Sequence, residues 1–462
     1  MHCADLLREV RAGQGAREEI RAHAGVRGKG FMYLIVIIIA ALTTRAITPL
    51  VERMAVRLRM EDRPEDRKIH ETAMPLLGGL GVAGGFAAGC LFAYVFPGAR
   101  AFETPLLGLA VGAFMMLCLG IYDDRWGADA KIKLSIQILA AMVVVASGSR
   151  IGILTNPFGG HWDLGLLSIP VSIFWIVGIT NAINLIDGLD GLAAGIGAIV
   201  CLTLFSVAIP DPLSFVPVAA IALAGACLGF LRFNFPPARI FLGDTGSLFI
   251  GFVIAVIGMQ GFLKGATALA LVVPILAVGV PVVDTALAIL RRTFQRRHLF
   301  KADREHLHHR LVRIGLTQRQ AVVVMYWVSI FLALTAVSLR DLPPQKGFLL
   351  LAVALLSGAL MLKALGYVEA RFKRLYERLS RLSREKRAPG PEEMMLLNGF
   401  HAQDEKIAAE TAVCAAPSGS EDQPEVPPAA EGVTVSLAEL IGRPGTPRAI
   451  LERILQQRVR TP

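Results

Sequence analysis

Long apolar runs separated by short polar clusters dominate the sequence. Eleven runs stand out, at about Phe31–Val51, Leu76–Phe96, Pro105–Tyr122, Leu134–Ser147, Leu166–Ile183, Leu192–Ile209, Leu213–Leu231, Ser247–Leu263, Ala268–Leu290, Ala321–Leu339 and Phe348–Tyr367. Several approach the ~20 residues that a helix needs to cross hydrocarbon, and the fourth is short. No strand-length alternation appears, so a barrel is not expected. The pattern predicts an all-α polytopic membrane protein with about eleven transmembrane helices. Composition agrees: 54% of the 462 residues are hydrophobic and the mean hydropathy is +0.55, values that soluble domains seldom reach.

Charge then orients the chain. The net charge is +10, which in a soluble protein would hint at nucleic acid. Here its distribution fits the positive-inside rule better, and no nucleic-acid partner is expected. Arg53, Arg57, Arg59, Arg63, Arg67 and Lys68 follow the first run. Arg291, Arg292, Arg296, Arg297, Lys301, Arg304, Arg310, Arg313 and Arg319 follow the ninth. Loops of the other parity hold Arg100, Arg150, Lys264, Arg340 and Lys346. Loops after odd-numbered spans are therefore expected in the cytoplasm, with the N-terminus outside and the C-terminus inside. Residues 1–30 do not fit, because Arg8, Arg11, Arg17, Arg21, Arg27 and Lys29 would then lie outside. Either this is a tolerated basic extension or translation starts at Met32; tryptic peptides from residues 1–30 would exclude the second.

The expected organisation is an N-terminal extension (1–30), a transmembrane catalytic domain (31–367), a basic amphipathic helix (368–390) and a largely disordered cytoplasmic tail (391–462). Leu375, Leu379 and Leu382 form an apolar stripe in a basic segment, which suits an anionic leaflet or a solvated helical extension. Pro417–Gly432 has the composition of a disordered linker. The six Cys residues include no C-x-x-C pair, so neither a disulfide framework nor a zinc site is expected.

Candidate chemistry sits in the loops after spans 1, 3, 5, 7 and 9. After span 3 come Asp123, Asp124, Lys131 and Lys133. Adjacent carboxylates at a span end need a cation, a proton or a positive substrate group nearby. Lys131, seven residues beyond Asp124, shares its face if the segment is helical. The alternative is helix capping by Asp. After span 5, Asn181, Asn184, Asp187 and Asp190 recur every third residue. At 3.6 residues per turn that spacing drifts about 60° per step, so the four cannot keep one narrow face. Asn181 and Asn184 are expected to end the span, with Asp187 and Asp190 in a turn loosened by Gly188 and Gly191. Such oxygens suit Mg²⁺, which takes carboxylates together with substrate phosphates. After span 7, Gly243-Asp244-Thr245-Gly246-Ser247 opens the next helix with a carboxylate, two hydroxyls and free N–H groups. This suits an anion or a metal bridged to one, or a simple N-cap.

After span 9, His306, His308 and His309 stand with Arg304 and Arg310. Three His suggest zinc, but the basic surroundings and the lack of Cys favour anion contact or proton transfer. After span 1, Lys68 and His70 precede a Pro75-Leu76-Leu77-Gly78-Gly79 run, which fits phosphate contact or membrane anchoring. Asp284 lies inside span 9, where it faces the site or pairs with Arg291 and Arg292. An odd number of crossings separates all five loops from the outside, so they share one membrane face. That points to an enzyme acting there on a polar, phosphorylated substrate. A transporter would instead place carboxylates near mid-membrane in symmetric halves, and a scaffold would act through the tail.

Together, Asp123-Asp124 with Lys131, N-A-I-N-L-I-D-G-L-D-G-L, F-L-G-D-T-G-S and H-L-H-H-R resemble the polyprenyl-phosphate N-acetylhexosamine-1-phosphate transferases. R-K-I-H before P-L-L-G-G, and P-V-V-D-T-A in span 9, resemble the bacterial undecaprenyl-phosphate GlcNAc-1-phosphate branch. The phospho-MurNAc-pentapeptide translocases are similar but carry three consecutive His, which Leu307 interrupts here. The resemblance implies transfer of a sugar 1-phosphate, chiefly GlcNAc-1-phosphate, from a UDP-sugar to undecaprenyl phosphate with release of UMP. It implies a bacterial inner-membrane enzyme, surrounded by membrane lipids and working on the cytoplasmic face as the first membrane step of an envelope polysaccharide. A homodimer is one assembly this allows. Asn184 and Asp244 would hold Mg²⁺, with Mn²⁺ as an alternative. Lys131 would contact the diphosphate, and Asp123 with Asp124 would deprotonate or position the lipid phosphate. Asp187 and Asp190 would lie in the nucleotide pocket, and His306, His308 and His309 would contact sugar or phosphate. Lys68, His70, Asn181, Asp284 and Arg304 complete the expected substrate contacts.

Overall fold

The computed structural model describes residues 2–62, 73–95, 106–155, 161–209, 215–262, 272–294, 307–340, 342, 346–358, 360 and 363. The chain divides into two compact units, Met1–Ser380 and Arg381–Pro462, and every described residue belongs to the first. The expected basic helix (368–390) and tail (391–462) lie outside the described residues.

The protein is an all-α polytopic membrane protein. Its helices are α1 (His2–Arg57), α2 (Gly78–Val95), α3 (Leu106–Trp126), α4 (Ala130–Ala146), α5 (Ser168–Ile186), α6 (Leu192–Ala208), α7 (Val216–Asn234), α8 (Gly243–Phe262), α9 (Val272–Ala277), α10 (Gly279–Phe294), α11 (Leu307–Arg313) and α12 (Gln318–Arg340). Among the described residues, seven helices are long and apolar enough to cross a membrane: Gly30–Arg57, Gly78–Val95, Leu106–Trp126, Gly165–Ile186, Val216–Asn234, Gly243–Gln260 and Gln318–Leu339. Two shorter apolar helices, Leu192–Ala208 and Lys346–Gly358, fall on further predicted runs. The fourth run is α4, whose 17 residues reach about 25 Å at 1.5 Å per residue.

The ninth run is not one helix. It breaks into α9 and α10 around Val278. Pro281 has no N–H to offer the carbonyl four residues back, so the helix stops and restarts with proline in its first turn. The first run begins inside α1, a helix that continues from His2 through Arg57.

Two short antiparallel ladders join the helices. β1 (Glu61–Asp62) pairs with β2 (Met74–Pro75), Glu61 opposite Pro75. β3 (Ile153–Thr155) pairs with β4 (His161–Asp163), Leu154 opposite Trp162. Burial is uneven. In α7 and α8, 78% and 89% of the apolar window is buried, against 28–44% in the other five spanning helices. α8 packs against α2, α3, α5, α6 and α7, so it is the axis of the bundle.

Candidate functional site

The site begins where α8 begins. Gly243 takes a φ of +70°, a conformation open to glycine, and turns the chain so that Asp244 enters the first turn of the helix. The preceding strand-like segment is held by its main chain. Gly78 and Gly79 donate to the carbonyls of Phe241 and Leu242 at 3.0 and 2.9 Å, and Phe241 donates to Pro75 O at 2.9 Å. A methyl group on Gly79 would fall 2.2 Å from Gly246 N, and one on Gly120 would fall 2.3 Å from Thr245 Cα. Those glycines let α2 and α3 close directly onto the Gly-Asp-Thr-Gly turn. This explains the Gly-Gly run at the start of α2 as packing around the site.

Asp123 and Asp124 end α3, and they do different things. Asp124 accepts from Asp244 N (2.8 Å), Thr245 N (3.1 Å) and Thr245 Oγ1 (2.6 Å). It caps α8 from another helix and satisfies donors that the helix itself leaves open. Asp123 accepts from Ala128 N at 2.6 Å, and its other oxygen pairs with Lys133. Lys133 also reaches Asp244 Oδ2 at 2.7 Å. One ammonium thus joins the carboxylates of α3 and α8. Asn184, near the end of α5, donates from Nδ2 to Asp244 Oδ1 (3.0 Å) and Ser247 Oγ (2.8 Å).

The lysine of this cluster is Lys133, where the sequence had pointed to Lys131. The seven-residue spacing from Asp124 to Lys131 assumed one helix. Instead α3 stops at Trp126, Gly127 turns with φ +71°, and α4 starts at Ala130. Lys131 is exposed and pairs with no described carboxylate. The two Lys were both visible; the glycine turn, read as a stop signal, would have re-phased them.

The α5 end follows the predicted division. Asn181 and Asn184 lie in α5, Asp187 caps it, and Asp190 falls in the turn before α6. Asn181 exchanges amide hydrogen bonds with buried Gln137 of α4, at 2.7 and 3.3 Å. Asp190 accepts from Ala238 N at 3.0 Å, which ties the turn to the loop after α7. Gly191 N donates to Asn234 Oδ1 (2.9 Å), Asn234 Nδ2 donates to Ile240 O (2.9 Å), and Tyr326 Oη of α12 donates to Gly191 O (2.6 Å). Sequence reading missed Gln137 and Tyr326, polar groups inside apolar helices, and Asn234, the last residue of α7.

Asp187 makes no hydrogen bond with a described side chain. Burial, then the charges of Asp244, Asp124 and Asp190, hold its carboxyl well above the usual carboxylate range. Among the described residues, four acids, Asp123, Asp124, Asp187 and Asp244, thus gather around one ammonium, that of Lys133. Such a site attracts cations, and a cation held there would in turn attract phosphate. Among the described residues no group of three or more His, Cys, Asp or Glu is arranged to hold a metal ion. Mg²⁺ does not require one, because it uses one or two carboxylates plus substrate phosphate oxygens. The oxygens of Asp123 and Asp244 that share one ammonium meet that need.

The remaining expected residues are placed as follows. Asp284 is buried in α10 and accepts from Leu307 N at 2.8 Å, so it anchors the start of α11, which carries His308 and His309. Lys68, His70, Arg304 and His306 lie outside the described residues. The site ends of α1 and α3 meet where Arg125 donates to Leu58 O.

A glycosyl transferase family 4 model matches residues 106–262, the stretch from α3 through α8. The chain is 36% identical over 350 residues to a probable undecaprenyl-phosphate N-acetylglucosaminyl 1-phosphate transferase of Bacillus subtilis, covering 75% of this chain and 96% of that protein. It is 37% identical over 342 residues to a decaprenyl-phosphate N-acetylglucosaminephosphotransferase of Mycolicibacterium smegmatis, covering 68% and 84%. It is also 35% identical over 246 residues to a phospho-N-acetylmuramoyl-pentapeptide-transferase of Thermosynechococcus vestitus, covering 49% and 62%.

Proposed function

The chain belongs to glycosyl transferase family 4, and we propose that it transfers GlcNAc-1-phosphate from UDP-GlcNAc to undecaprenyl phosphate, releasing UMP. One observation carries the reading: the Asp123–Lys133–Asp244–Asn184 cluster, drawn from four helices that end at the same edge of the bundle. The likeness to the Bacillus subtilis transferase supports the acceptor and the sugar, because it spans nearly that whole protein.

In this reading an oxygen of the lipid phosphate attacks the β-phosphorus of the UDP-sugar. A new P–O bond forms, the α–β bridge breaks, and UMP leaves. Phosphoryl transfer of this kind depends on positioning and charge neutralisation. Lys133 offers the diphosphate a positive partner at the edge of the acidic cluster. Asp123 positions the lipid phosphate or takes its proton. Asp244, oriented by the Asn184 amide, would hold Mg²⁺, or Mn²⁺, with Asp123 as the neighbouring carboxylate; the ion would supply charge neutralisation. Asp187 and Asp190 line the nucleotide side, and His306, His308 and His309 approach sugar or phosphate. Asp124 acts through α8, whose first turn it fixes.

The apolar runs support eleven spans, and the basic loops support an outer N-terminus and a site on the cytoplasmic face of a bacterial inner membrane. UMP release from a panel of UDP-sugars, with and without undecaprenyl phosphate and Mg²⁺, tests the proposal. Release that needs UDP-GlcNAc, lipid and metal together is expected. Release with UDP-MurNAc-pentapeptide instead would move the chain to the other branch, and no release with any donor would overturn the transferase reading.

A further inference from the structure

We propose that Lys133 is a built-in counter-cation that closes the Asp123–Asp244 pair to a divalent ion until a diphosphate draws it away, so that metal and nucleotide are taken up together. The proposal rests on the transfer reading above and goes beyond it to the order of binding.

The geometry is specific. The Lys133 ammonium touches one oxygen of Asp123 and lies 2.7 Å from Asp244 Oδ2. A cation shared by these acids would need the same two oxygens. The lysine is therefore a competitor for that position as well as a neighbour of it. Its backbone is fixed: Lys133 N donates to Asp129 O at 3.0 Å. One turn along, the Gln137–Asn181 amide pair pins α4 to α5. The side chain is free by comparison, with 27% of its surface exposed.

What moves the lysine is charge. A metal ion arriving alone must displace an ammonium already paired with both acids, so its net gain is reduced by the loss of those two contacts. A diphosphate changes the balance, because it offers the ammonium a new anionic partner and brings oxygens that complete a metal's coordination. The two ligands must then favour each other's binding by equal factors. Removing the ammonium should remove the competition and leave the acids open to metal alone.

The test uses the full chain in lipid nanodiscs and reads bound Mn²⁺ by electron paramagnetic resonance, with and without UDP, corrected for Mn²⁺ held by UDP in solution. In the wild type, Mn²⁺ alone should bind weakly, and UDP should tighten it at least about tenfold, on the order of 1.4 kcal/mol. Lys133→Met should bind Mn²⁺ alone at least about tenfold more tightly than wild type, with the UDP effect reduced. Lys133→Arg, which keeps the charge, should behave as wild type. Equal Mn²⁺ affinity in wild type and Lys133→Met, or an Arg variant that matches Met, would overturn the proposal. A metal-free melting curve checks that each variant is folded. Should Lys133→Met fail to fold, the wild type alone decides: equal Mn²⁺ affinity with and without UDP sinks the idea. UMP release by the same wild-type preparation reports on the transfer reading separately.

Discussion

α4 and α8 each have two ends, and the ends are built by opposite rules. At one, Lys133 and Asp244 meet in a group of charges with one carboxyl, Asp187, that no described side chain hydrogen-bonds. At the other, Gln260 Nε2 donates to Ser149 Oγ at 2.8 Å, and Ile151 N donates to Ser172 Oγ at 2.7 Å, all neutral and all buried. Neutral pairing is the inexpensive way to close a helix end at a membrane edge. The charged end departs from it, and a bundle whose far end is settled so simply had no structural need to do so. The excess of charge is what the proposed diphosphate and its cation would use.

Substitutions break this contrast in graded steps. The largest effect belongs to the reacting cluster. Asp244→Ala and Asp123→Asn should each abolish UMP release in membranes, by more than about 100-fold, with folding retained; near-wild-type release in either would refute the assignment. Asp124→Ala should act on the fold instead. It removes three charge-assisted bonds from the start of α8 and should lower stability by on the order of 3 kcal/mol, read as a drop in melting temperature together with the loss of activity. At the neutral end, Gln260→Leu should cost about 1 kcal/mol and leave the KM for UDP-GlcNAc unchanged. A change in KM there would erase the distinction between the ends.

The smallest effect is a pH dependence. The Asp187 carboxyl is held above its ordinary range, so in the folded state it binds its proton more tightly than in the unfolded state. Its contribution to stability is complete below the unfolded value near 4 and is lost as pH rises through the raised, folded-state value. Asp187→Asn should therefore raise the melting temperature of the metal-free protein at neutral pH, with the gain vanishing in acid. A gain that persists at pH 3 would assign it to packing.

The helices were legible because a bilayer imposes one length and one polarity on every span. The α5 end was legible too, since a three-residue spacing cannot hold one helical face and Gly188 and Gly191 announce a turn. Two failures have a common origin. Lys131 was preferred to Lys133 because helical phase was carried across Gly127, and the ninth run was read as continuous across Pro281. In both places hydropathy and spacing persist while the backbone changes direction. Asp124 was hidden for another reason. A carboxylate that caps a distant helix has the same sequence signature as its catalytic neighbour, and three-dimensional pairing alone separates them. Gln137, Asn234 and Tyr326 were hidden because single polar residues in apolar helices carry no partner in the sequence.

The stretch that matches the family model, residues 106–262, is smaller than the object that holds its loops in place. Gly78 and Gly79 clasp it from before its first residue, and Tyr326 clasps it from well after its last. What the family model matches and what is mechanically complete are therefore different pieces of this chain. Engineering that transplants the recognisable stretch alone would carry the reactive groups without their clamps; a graft that keeps its grip on both sides must run from before Pro75 to beyond Tyr326.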